Sequence, residues 1–163
     1  MAVITRNSTR VASDLVKGSP RPNIGRDLQL IEGRLESVSG DSIGSAYRLC
    51  TLPSDFVIDK IELASDALGG SCAADLGIYK ALGGAVVDAD EFGSAISLVS
   101  ASGWTQVTEE AAATDIGKSM MPMWERAGLT SNDGQAYDVA LTLTGASAAA
   151  GTVAVKVRGY YLG

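Results

Sequence analysis

Histidine is absent from the 163 residues. That removes the usual general base near neutral pH, the Ser-His and Cys-His dyads, and most zinc and iron sites. The two cysteines, Cys50 and Cys72, form no CxxC pair. Neither a P-loop nor a GxGxxG segment occurs, so the sequence gives no support for a phosphate cradle. No window approaches the roughly 18 apolar residues of a membrane span. The start, Met1-Ala2-Val3-Ile4 followed by Arg6 and polar residues, lacks the apolar run of a signal peptide. The expectation is a protein made in a cytoplasm, where Cys50 and Cys72 stay reduced as small apolar residues. Aromatics are scarce at 6%, so the core must be built from Val, Ile, Leu and Ala with few large anchors.

What is present is alternation. Tyr137, Val139, Leu141 and Leu143 fall on one parity, with Asp138, Thr142 and Thr144 on the other. After Gly145–Gly151 the pattern restarts, with Val153, Val155, Val157 and Tyr161 opposed to Thr152, Lys156, Arg158 and Tyr160. Side chains alternate faces along a strand, so this predicts two strands with one buried face each. Their short Gly/Ala/Ser connection predicts an antiparallel hairpin.

The same signal recurs upstream. Leu28–Ser37 reads as a strand with Ile31 and Leu35 inward, and Glu32, Arg34 and Glu36 outward. Ala46–Leu52 is a second, stopped by Pro53. Phe56–Ala64 is a third, with Val57, Ile61 and Leu63 on one face. Ala73–Lys80 is a fourth, burying Leu76 and Ile78. Residues 83–93 read as a loop, and Ser94–Val99 and Trp104–Thr108 as two short strands. Glu109–Lys118 reads as a loop or a helical turn. Pro122–Gly128 reads as a single helical turn, with Pro122 first and Gly128 just past the end. About eight strands, 19 glycines and hardly any helix define an all-β domain, a sandwich or a barrel, over residues 28–163.

Residues 1–27 differ. They keep no steady period, and Ser19-Pro20-Arg21-Pro22 resists helix, apart from one candidate helical turn near Val11–Val16. They carry Arg6, Arg10, Lys17, Arg21 and Arg26 against Asp14 and Asp27, a net charge of +3. The other 136 residues carry eight basic and 17 acidic side chains, net −9. This reads as an extended basic arm on an acidic body, either a loose tail on a solvated domain or an arm that docks on an acidic protein surface. It lacks aromatic interleaving and a dense Lys/Arg run, and the body repels phosphate, so nucleic acid is not the expected partner.

Candidate chemistry is thin. Asp88, Asp90 and Glu91 cluster near glycines, but the roughly six oxygen ligands of calcium are not evident, and an exposed acidic loop is the expectation. Two facing carboxylates from this set would be needed for glycan cleavage. Trp104 and Tyr160 are the candidates for a glycan-binding platform. Trp124 with Met120, Met121 and Met123 is either a plug at one end of the sandwich or a subunit interface. No catalytic, cofactor or metal residues are assigned.

Several separated blocks resemble a family of small virion proteins of tailed bacteriophages. They are Gly40–Leu49 with Leu52-Pro53-Ser54, Ser65–Gly69 with Ala74–Tyr79, Gly84–Phe92, Pro122–Glu125, and Tyr137–Thr144 with Ala149–Val153. They occur in the family's order across roughly residues 34–158 and exclude the first 30 residues. The resemblance implies an antiparallel jelly-roll-like β-sandwich of about eight strands with an extended N-terminal arm. It implies a non-enzymatic capsid decoration or cement protein on the outside of the head, its partners the major capsid protein and itself, as a homotrimer. No nucleic acid, membrane or cofactor is implied. The arm residues Arg6, Arg10, Lys17, Arg21 and Arg26 are then the expected capsid contacts, and a head-fibre, tail or glycan-binding attachment module is the alternative.

Overall fold

The structure, a computed structural model, describes residue 3 and residues 5–7, 28–107 and 116–162. Among the described residues nine strands follow in order: β1 (Thr5–Asn7), β2 (Gln29–Ser37), β3 (Ala46–Pro53), β4 (Phe56–Ser65), β5 (Ala73–Lys80), β6 (Val86–Ser97), β7 (Ser102–Gln106), β8 (Ala136–Leu143) and β9 (Gly151–Tyr161). Between β7 and β8 lie a 3-10 turn, Ile116–Lys118, and one helical turn, α1 (Met123–Arg126).

The strands form two sheets, ordered β1-β3-β8-β5-β6 and β2-β9-β4-β7. Every neighbouring pair is antiparallel except β1 with β3, which is parallel. Leave β1 aside and the pairing is that of one long ribbon folded back on itself: β2 with β9, β3 with β8, β4 with β7, β5 with β6. Rolled into two four-stranded sheets, that ribbon is a jelly roll. The expected all-β sandwich is therefore present.

The core lies between the sheets. Leu49, Leu52, Phe56, Ile61, Leu76, Ile78, Phe92, Val139, Leu141, Val153, Val155 and Val157 are among its fully buried members. β2 follows the expected alternation, with Ile31 and Leu35 buried and Glu32, Arg34 and Glu36 exposed.

Four expectations about the strands fail, each for a local reason. First, β8 and β9 are not a hairpin: β8 pairs β3 and β5, whereas β9 pairs β2 and β4. Residues 144–150 are long enough to cross the roughly 10 Å between stacked sheets. They bond to the start of β5 and to the loop before it, with Thr144 and Gly145 donating to Ala73 O, and Ala148 and Ala149 to Leu68 O. Second, β8 buries both faces: Asp138 and Ala140 on its outward side are fully buried. Ala140 packs there with Ala46 and Tyr79 in a second small cluster.

Third, β4 does not keep one parity. A register shift between Ile58 and Lys60 re-aims the strand. Phe56, Ile58, Ile61 and Leu63 all reach the core, while Val57 is buried elsewhere and bridges Pro122. Fourth, most of the expected loop 83–93 is the first two-thirds of β6, a strand with three register shifts against β5. Its bulges break the alternation by which a strand is read.

The helical turn at 122–128 forms, with Gly128 at φ 77° just past it. Pro122 is its N-cap residue, with extended backbone, not its first helical residue. Met123 is fully buried in the core cluster, so the turn plugs the sandwich end, and that burial contributes about 1.5–3 kcal/mol. Cys50 and Cys72 are both buried and not joined as a disulfide, and burial pushes the Cys72 thiol up.

Candidate functional site

The arm is where the sequence placed partner contacts. Of its five cations, Arg6 is located by backbone in β1, where it registers with Tyr47 of β3. Arg10, Lys17, Arg21 and Arg26 lie outside the described residues, as does the candidate turn near Val11–Val16. β1 adds an outer strand to the five-stranded sheet at the edge of β3, from Thr5 opposite Ala46 to Asn7 opposite Arg48. Reading 1–27 as aperiodic missed this strand. The β-branched run Val3-Ile4-Thr5 carried the signal, because such residues suit a pleated edge.

The acidic triplet does not converge. Alternation and the bulges send Glu91 inward and leave Asp88 and Asp90 toward solvent. Glu91, 2% exposed, accepts from Arg126 Nη1 at 3.0 Å and Lys118 Nζ at 2.6 Å. Arg126 also donates to Lys118 O at 2.6 Å and lies 5.5 Å from the Phe92 ring centre. Burial draws the Arg126 guanidinium down, against the pull of Glu91. This group ties the 3-10 turn and α1 to β6. Asp88 and Asp90 stand together: the Asp90 carboxyl is raised by its hydrogen bond to Asp88, then by burial and the charges of Asp88 and Asp75. Among the described residues no three His, Cys, Asp or Glu side chains gather as a metal site.

The outward face of the four-stranded sheet pairs its charges. Lys60 meets Glu62 at 2.8 Å, Arg158 meets Asp59 at 2.7 Å, and Lys156 approaches Glu32 at 3.6 Å. Trp104 is 45% exposed, with Lys156 Nζ 4.1 Å from its ring centre. Tyr160 is half-buried and lies four residues along β9 from Lys156, about 13 Å away. The two aromatics therefore do not make one platform.

The outward face of the five-stranded sheet holds a buried ion pair. Arg48 Nη1 meets Asp138 Oδ2 at 2.7 Å, and Thr51 Oγ1 donates to Asp138 Oδ1 at 2.6 Å. The same guanidinium bonds the carbonyls of Lys80 and Gly84 and lies 4.8 Å from the Tyr79 ring centre. Sequence reading placed Asp138 on a solvent face and gave Arg48 no role. These two strands pair in the sheet, but they lie 90 residues apart in the chain.

These features define a jelly-roll sandwich with a strand-forming N-terminal extension and charged groups engaged with one another. No family model matches the chain, and no curated protein matches it. Solved structures do. The chain aligns with a chain of the cyanophage Pam1 capsid asymmetric unit over 88% of its own length and 91% of the other, with TM-score 0.58 and 19% identity. It aligns with a chain in the capsid of Ralstonia phage GP4 over 96% and 97%, with TM-score 0.59 and 17% identity. At these identities the likeness establishes a shared fold.

Proposed function

We propose that this chain is a structural virion protein of a tailed bacteriophage that binds the outer surface of the head as a decoration or cement protein, without catalysis. The observation that carries this reading is the end-to-end likeness to chains of two phage capsids, where nearly the whole of both chains is used. The partners are the major capsid protein and further copies of itself, as a homotrimer. The sandwich supplies rigidity, and the arm cations Arg6, Arg10, Lys17, Arg21 and Arg26 supply attraction to an acidic shell, which salt weakens.

Cosedimentation with undecorated heads of the encoding phage tests it. Binding should saturate and weaken as salt rises. Deleting residues 1–25 should abolish binding yet leave the fold, because the named core members begin at Ile31. Light scattering should give the trimer mass. A truncated protein that binds as tightly as the full chain rules out the arm, and a monomer at high concentration rules out the trimer.

A further inference from the structure

The β5–β6 hairpin turns through Ala81-Leu82-Gly83-Gly84. It is closed by Gly84 N–H to Ala81 O at 3.2 Å and Lys80 N–H to Ala85 O at 2.9 Å. Both central residues have positive φ, 60° at Leu82 and 77° at Gly83. That is the mirror turn whose first central position suits Asn, Asp or Gly, because a Cβ crowds the following carbonyl there. Leucine brings the crowding without a polar side chain to offset it. It is also 72% exposed, next to exposed Ala85 and to Val86 at 51%. Position 82 is thus unfavourable twice, in backbone conformation and in hydration.

The turn is nevertheless held firmly. The Lys80 and Gly84 carbonyls flanking it both accept from the buried Arg48 guanidinium, which is fixed by Asp138 and the Tyr79 ring. Ala81 N–H donates to Ala136 O at 3.1 Å. Strain of this kind persists only where the surroundings over-determine it, and it gathers at ligand clamps and switches. The buried ion pair supplies that over-determination.

We infer that Leu82, with Val86 beside it, is a preorganised apolar anchor that enters an apolar pocket on the shell protein of the phage head. This rests on the head-surface reading above. One hairpin tip covers far less than the roughly 1,600 Å² of a standard interface, so it acts as one anchor within an extended contact. Such anchors carry a disproportionate share of binding, and rigidity in the bound conformation adds affinity.

The test uses the full chain with Leu82→Asn, Leu82→Gly, Leu82→Ala and Leu82→Met. Asn and Gly relieve the backbone, so the melting temperature should rise by about 2–4 °C. The same variants should lose about tenfold or more in head affinity by cosedimentation. Leu82→Ala should lose the affinity without the gain in stability. Leu82→Met keeps the bulk and should keep most of the affinity. If wild type binds heads and all four variants bind equally, the anchor is wrong and the head-surface reading stands. If wild type does not bind heads, both fall. If the variants alter self-association instead of head affinity, the pocket belongs to a second copy and the inference is overturned.

Discussion

Arg48 on β3 and Asp138 on β8 form a 2.7 Å ion pair that is almost completely shielded from water, on the side of the sheet facing away from the main core. Two charges in such a place persist because each is also hydrogen-bonded, Asp138 by Thr51 and Arg48 by two backbone carbonyls. The pair joins β3, β8 and the β5–β6 turn.

Removing one partner leaves the other charge buried and unpaired. Asp138→Leu should therefore cost about 3–5 kcal/mol of unfolding free energy, measured by urea denaturation. Adding Arg48→Met to it should recover much of that loss. Equal stability of the single variant and wild type would show that the pair does not hold the sheet.

β2 crosses close to β3 at Gly33. A Cβ built there would lie 1.8 Å from the Leu49 carbonyl oxygen, at the residue where β3 shifts register. Backbone cannot yield as a flexible side chain does. Gly33→Ala should lose about 1–3 kcal/mol in the same measurement, through overpacking. A neutral result would mean that β2 moves away freely.

The strand pattern was largely legible in the sequence, and its failures share one cause. Ala73–Lys80 has the expected limits, because Leu76 and Ile78 alternate without interruption. Alternation misleads wherever a bulge resets it, as at Ile58/Lys60 in β4 and along β6. It also cannot tell which sheet a strand joins, so a seven-residue connection between β8 and β9 looked like a hairpin. The candidate site was less legible still. Asp138 looks solvent-facing until Arg48, distant in sequence, is brought against it, and Leu82 looks ordinary until its φ is known.

Two tyrosines make the fold sensitive to alkali. Burial, then the hydrogen bond to Asp133, pushes Tyr137 up to about 12 from its ordinary 10.0. Burial and the 2.8 Å bond to Asp41 hold Tyr47 higher still. The folded state keeps these protons where the unfolded chain releases them, so their contribution is intact below pH 10.0 and is lost as pH rises toward 12 and beyond. Absorbance titration of phenolate should show Tyr47 and Tyr137 ionising together with unfolding. Ionisation of Tyr47 and Tyr137 near 10.0, with the fold intact, would contradict this.

The Asp88–Asp90 pair has the same sign at the acidic end. Asp90 is raised above its ordinary 3.8, so the folded state holds a proton that the unfolded chain gives up. The pair's effect on stability is best below pH 3.8 and worsens as pH rises through the raised value. Asp88→Asn keeps an oxygen to accept from the Asp90 N–H but removes the like charge. It should raise the melting temperature at neutral pH, with the gain shrinking in acid. A gain independent of pH would point to some other cause.

The central claim is that this jelly roll sits on the outside of a phage head. Cryo-electron microscopy of bare heads, before and after adding the purified protein, tests it most directly. The account predicts ordered extra density on the outer surface of the shell, into which the two-sheet sandwich fits with the β5–β6 tip against the shell. Heads that gain no outer density at saturating protein would contradict it.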